Sequence, residues 1–142
     1  MSTADFDNGN GANLFLVYRS MREDVDGLPV MESNGRGLGI RPGIDVAASE
    51  DHDLVQPGEG GISISPGDPL HLPRHRRPPI FQGTGKDPVW ALDIHDLEPE
   101  LSFRPDPTNS SHHGFLEPAH AVTLVEYQQA IARTRTSWKK VI

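Results

Sequence analysis

Proline and glycine divide this sequence so finely that only one regular element has room to run far. Thirteen prolines and fourteen glycines make up almost a fifth of the 142 residues, short of the share that marks a low-complexity chain. Proline lacks the amide that a helix interior or inner strand requires, and glycine weakens both through backbone entropy. With 35% apolar residues, the punctuation predicts an α+β chain of short strands, few helices and long ordered loops around a modest core. A chain of this length suits one such core.

Residues 1–12 are acidic, polar and glycine-rich, and their composition predicts a disordered tail ahead of a single domain over 13–142. Asn13 to Arg19 is apolar almost throughout and predicts a buried strand closed by a charge. From Glu23 to Glu59 the pattern dissolves into Gly, Pro, Asp and Asn, an irregular stretch of a length that is usually functional or disordered. Gly60 to Pro66 alternates, with Ile62 and Ile64 on one face and Ser63 and Ser65 directed away from the core. His71 to Gly85 is a basic, proline-bearing loop. Val89–Ile94, Leu101–Arg104 and Gly114–Glu117 are further short strands. The one helix begins at Thr123, with Glu126 completing a capping box, and places Leu124, Tyr127, Ile131 and Trp138 on or near one side over about 15 residues.

Thirteen Lys and Arg against twenty Asp and Glu give a net charge of −7. That balance argues against general nucleic-acid binding and against stable association with an anionic membrane, since both require excess cations. The basic residues cluster at Arg74, His75, Arg76 and Arg77 and again at Arg133, Arg135, Lys139 and Lys140. Cysteine is absent, which removes disulfides, thiolate metal sites and thiol nucleophiles and fits a reducing compartment. The start does not read as a signal peptide, and the expected place of action is the cytoplasm of a producing or target cell.

Polar groups at the ends or outer faces of expected strands are the candidates for chemistry. Arg19 is either a solvated strand-end charge or a guanidinium placed to meet a phosphate in fork geometry. Ser63 and Ser65 are outward polar residues of a half-buried strand, or they hydrogen-bond a ligand ribose. Glu117, between Leu116 and Pro118, pairs with an arginine or places its charge against an oxocarbenium-like centre, as carboxylates do in glycoside cleavage. His112 and His113 are exposed loop histidines, ligand contacts or a general base.

Three tempting patterns fail. Gly83-Thr84-Gly85-Lys86 lacks the phosphate-loop frame, because Ile80 and Asp87 stand where a glycine and a Ser or Thr are required. His71 and His75 have helical spacing for zinc, but Pro73 between them spoils the helix, and no metal site is expected. Gly35-Arg36-Gly37-Leu38-Gly39 does not follow a strand and reads as a turn, with Arg36 and Arg41 free to face an anion.

Leu16-Val17-Tyr18-Arg19, Gly60-Gly61-Ile62-Ser63-Ile64-Ser65, His112-His113-Gly114-Phe115-Leu116-Glu117-Pro118-Ala119 and the terminal helix with Trp138, in that order, resemble the small ADP-ribosyltransferase-like toxins delivered by type VI secretion. The likeness runs over most of residues 13–140 and lies in the order and separation of short motifs. It implies a compact split β-sheet around a cleft that takes NAD as co-substrate. It also implies a bacterial toxin acting on an unidentified macromolecule and held in check by a cognate immunity protein or antitoxin. Arg19, Ser63 and Glu117 match the arginine–serine–glutamate arrangement and are the implied catalytic residues. Ser65, His113 and Tyr18 join Arg19 and Ser63 as implied NAD contacts. The position two residues before Glu117 holds Phe115 rather than the second glutamate associated with arginine modification. NAD hydrolysis in the same cleft, and a non-catalytic module docking through Arg74–Arg77, are the rival expectations.

Overall fold

A computed structural model describes residues 14–141; the tail expected at 1–12 lies outside the described residues. The five expected strands are present as β1 (Leu16–Ser20), β3 (Ile62–Pro66), β4 (Val89–Asp93), β5 (Leu101–Pro105) and β6 (Gly114–Pro118), and three two-residue strands that the sequence did not announce join them: β2 (Leu54–Val55), β7 (Val122–Thr123) and β8 (Lys139–Lys140). Six of them form one antiparallel sheet in the order β5-β6-β3-β1-β4-β8, while β2 and β7 pair separately. With one α-helix, the chain is an α+β protein built mostly on antiparallel sheet.

The register explains where the sheet opens. β1 pairs with β4 along its whole length, yet with β3 only at Val17↔Pro66 and Tyr18↔Ser65. The other end of β3 pairs with β6, from Ile62↔Leu116 to Ile64↔Gly114. Beyond Ser65, β1 and β3 therefore part, and a gap opens beside Arg19 and Ser20.

Strand alternation sorts the two faces. Val17, Ile62, Ile64, Trp90, Leu92 and Leu116 enter the main core, where Tyr127, Ile131 and Trp138 cover them. On the other face Tyr18, Val89 and Ala91 pack against Leu72 and Phe81. The stretch 23–59 is irregular but packed, since Val30, Leu38, Ile40, Val46, Ala48 and Val55 are all buried. Ser65, expected to point to water, is 3% exposed, because the segment 69–81, three 3-10 turns rather than an open loop, covers that face.

The helix α1 (Leu124–Arg133) starts with the expected capping box. Thr123 Oγ1 accepts from the Glu126 amide at 3.3 Å, and Glu126 Oε1 accepts from the Thr123 amide at 2.9 Å. It spans ten residues, shorter than expected, because the Thr134 amide and hydroxyl both turn back to the Ile131 carbonyl, at 3.0 and 2.7 Å. A 3-10 turn, Arg135–Ser137, follows and delivers Trp138 to the core, where its indole donates to Thr134 Oγ1 at 3.0 Å. The C-terminal basic cluster is not a free patch. Arg135 bonds Asp26 at 2.7 Å and the Pro29 carbonyl at 2.7 Å, Arg133 pairs with Glu98 and Lys140 with Glu23.

Candidate functional site

Three neighbouring strands carry the three residues that the sequence singled out: Arg19 on β1, Ser63 on β3 and Glu117 on β6. A cavity of about 360 Å³ lies at the parting of β1 and β3, within the range of about 300–1,000 Å³ that small-molecule sites occupy. Its walls come from the ends of those strands, from Leu72, Pro73, His75 and Arg76, from Gly35 and Arg41, and from His113 just before β6.

Arg19 is 7% exposed, so it is not a strand-end charge in water. Nη1 donates to the Ser63 carbonyl at 2.8 Å, while Nη2 and Nε donate to the Gly37 carbonyl at 2.8 and 3.3 Å. The guanidinium thus replaces the cross-strand hydrogen bonds lost where β1 and β3 separate, and it holds the 35–39 turn in place. Burial above all, and then the nearby Arg76, lower its pKa to about 10, leaving it charged at neutral pH.

Two more guanidiniums line the cavity. Arg41 is fixed by Asp45 at 2.9 Å. Arg76 is half-buried and has no carboxylate within ion-pair distance among the described residues. Desolvation lowers its pKa; the Asp87 carboxylate offsets part of this at longer range, and Arg36 and Arg41 add like-charge repulsion. None of the lining residues is acidic, so a chain of net charge −7 keeps a cationic cavity. Ser63 and Ser65 line it too, and their hydroxyls make no hydrogen bond with the described residues.

This arrangement depends on two glycines before β3. Gly60 and Gly61 have φ of +125° and +144°, and a Cβ at Gly60 would lie 2.3 Å from the Asp45 carbonyl oxygen. Only glycine lets the 41–45 turn press against the start of β3 and bring Arg41 to the cavity wall. Arg36, in contrast, is committed to Asp87 through a two-pronged contact at 2.8 and 2.7 Å. The turn expected at 35–39 is present. Gly83 and Gly85 serve packing, since a Cβ at Gly83 would meet the Arg77 carbonyl at 2.1 Å. The cations of the run Arg74–Arg77 are differently placed: Arg76 lines the cavity, Arg77 donates to the Leu70 carbonyl at 3.2 Å and Arg74 is exposed.

His113 lines the cavity and His112 does not. Asp106 Oδ2 lies 2.8 Å from His113 Nδ1, and this contact, followed by those from Thr108, lowers the Asp106 pKa to about 2. The His113 ring meets Phe115 edge-on, with centroids 4.8 Å apart. His112 instead packs against His71, with centroids 4.1 Å apart.

Glu117 is 5% exposed and does not line the cavity. Its Oε1 accepts from Arg104 Nε at 2.8 Å and from the Gly58 amide at 2.9 Å, while Oε2 has no donor among the described residues. It sits two residues along β6 from Phe115, the cross-strand partner of Ser63. Tyr18 also lies off the cavity, in the second apolar cluster, and borders a shallow hollow formed with Leu14, Phe15, Leu16 and Gly67.

The sequence reading missed Arg76 as a lining residue, and it missed Asp106 and Arg104. Arg76 stood within a noted basic run, but nothing in that run shows which cation turns inward. Among the described residues no three His, Asp or Glu side chains gather as a metal site, and no helix is long and apolar enough to cross a membrane. No protein-family model, no curated protein and no solved structure matches the chain.

Proposed function

We propose that the protein is an NAD-dependent ADP-ribosyltransferase-type toxin of split-sheet, ADP-ribosyltransferase-like fold, acting in the cytoplasm of a bacterial cell and neutralised by a cognate immunity protein or antitoxin that covers the cleft. The observation that carries the reading is the cavity lined by Arg19, Arg41 and Arg76 with no acidic side chain, beside two serine hydroxyls free to bond a ribose. One buried guanidinium, Arg19, and two partly exposed ones, Arg41 and Arg76, suit the doubly charged pyrophosphate of a dinucleotide.

Seated there by its pyrophosphate, NAD extends past the cavity along the face of β3 and β6, where Ser63 and Glu117 stand on adjacent strands. The C1′–N bond to nicotinamide breaks with positive charge building on the ribose. A carboxylate fixed beside that charge lowers the barrier without reorganising. Arg104 and the Gly58 amide hold Glu117 Oε1, which fixes the carboxylate in place and leaves Oε2 for the sugar. Ser63 holds the ribose end, and Arg19 fixes both the ligand and the strand gap.

Incubation with NAD labelled in its adenosine half, with and without bacterial extract, tests the reading. Nicotinamide release is expected in both, and Glu117→Gln is expected to reduce it by about 100-fold or more with near-unchanged folding. Release undiminished in Glu117→Gln overturns the role of Glu117, and no release by the native chain overturns the activity.

A further inference from the structure

We infer that His113, oriented by Asp106, takes the proton from an oxygen nucleophile, water or an uncharged hydroxyl, and that the site rejects a guanidinium acceptor. The inference rests on the NAD reading above and names its acceptor class.

Geometry supports the role of His113. Asp106 Oδ2 occupies Nδ1 at 2.8 Å, which leaves Nε2 as the nitrogen available to a proton on the cavity side. The ring is held a second time by Phe115, and Phe115 is itself clamped: the Arg104 guanidinium lies 4.7 Å over its ring and pairs with Glu117 at 2.8 Å. One continuous set of contacts therefore runs from Glu117 through Arg104 and Phe115 to His113 and Asp106. It ties the carboxylate proposed to face the ribose to His113, the cavity histidine that a carboxylate orients; His75, which also lines the cavity, has no such partner among the described residues. A base held at both ends in one orientation is what proton abstraction requires.

Charge decides the acceptor. A guanidinium would have to approach past Arg19, Arg41 and Arg76 with no lining carboxylate to receive it, and like charges at such range repel strongly in a partly dry site. A neutral O–H meets no such barrier. In the step, the acceptor oxygen bonds C1′ as the C1′–N bond breaks, nicotinamide leaves with that electron pair as a neutral molecule, and the O–H proton passes to His113 Nε2. Asp106 stabilises the resulting imidazolium.

The full chain, His113→Gln and Asp106→Asn are incubated with NAD alone, with methanol as a small oxygen nucleophile, and with agmatine as a guanidino probe. The native chain is expected to yield ADP-ribose with NAD alone and the methyl glycoside with methanol, and no agmatine adduct. His113→Gln is expected to lower kcat by about 100-fold with little change in KM, and Asp106→Asn, whose side chain lies off the cavity, by about tenfold. In the ligand-free protein, nitrogen-15 spectra are expected to show the His113 Nδ1–H tautomer, lost in Asp106→Asn. An agmatine adduct, or native kcat in both variants, overturns the inference while leaving NAD cleavage intact. Absence of nicotinamide release by the native chain overturns both. Label found as free ADP-ribose in the incubation with NAD alone identifies water as the nucleophile there.

Discussion

Arg19 Nη1 lies 2.8 Å from the carbonyl oxygen of Ser63, at the level where β1 and β3 have ceased to pair. A cation here closes a gap in a sheet. The same side chain is a wall of the cavity that the gap creates, so fold and ligand binding draw on one guanidinium.

Arg19→Lys separates charge from geometry. An ammonium keeps the charge but cannot reach the Ser63 and Gly37 carbonyls together. Loss of buried, charge-assisted hydrogen bonds is expected to cost about 2–4 kcal/mol, read as a lower urea midpoint at constant m-value. A change within 0.5 kcal/mol would mean that the strand gap needs only the charge.

Arg76→Ala is expected to act in the opposite sense on stability and binding. The native guanidinium is half-buried with no ion-pair partner among the described residues, and the longer-range attraction of Asp87 is set against repulsion from Arg36 and Arg41, so its removal relieves chiefly a desolvation cost and leaves Tm unchanged or raised. Affinity for ADP-ribose, measured by calorimetry, is expected to fall by about tenfold, roughly 1.4 kcal/mol. A lower Tm with native affinity would place Arg76 in the fold rather than in the site.

Asp106 gives the site an acid limit. Its carboxyl pKa is lowered from 3.8 to about 2, chiefly by His113. A depressed folded-state pKa means stabilisation that is complete above the unfolded value and lost as pH falls through the folded one. The Asp106 contribution is therefore present above about pH 4 and disappears toward pH 2. Thermal melts between pH 5 and 2 are expected to fall less steeply for Asp106→Asn than for the native chain. Parallel curves would show that Asp106 titrates alike in both states.

Gly60→Ala probes the link between the backbone before β3 and the cavity. With φ at +125° and the Asp45 carbonyl 2.3 Å from the added Cβ, the 41–45 turn has to withdraw and take Arg41 with it. A loss on the order of 2 kcal/mol is expected, together with weaker ADP-ribose binding. Weakened stability with intact binding would show that Arg41 does not depend on this approach.

Local signals sufficed for the five longer strands and for the start of the helix, but not for the two-residue pairings β2, β7 and β8. Alternation at Ile62–Ser65, the apolar run before Arg19 and the Thr123–Glu126 pair depend on backbone sterics and on hydrogen bonds between near neighbours, and each appears where the residues placed it. The helix end was not legible in the same way, because Thr134 competes for the Ile131 carbonyl and the buried Trp138 rewards the tighter turn that follows.

The residue types alone settled that any chemistry here runs on oxygen and nitrogen groups, that the elements are short, and that Arg19, Ser63, His113 and Glu117 stand at strand ends. Folding in three dimensions decided the rest. Which strands became neighbours, where β3 exchanges β1 for β6, why Arg76 turns inward while Arg77 does not, and how Asp106 and Arg104 reach His113 and Glu117 all depend on contacts between residues far apart in the chain. Such contacts arise when apolar faces are buried together and every stranded polar group must find a partner. That requirement acts on the assembled sheet, and it leaves no mark in the local order of the residues.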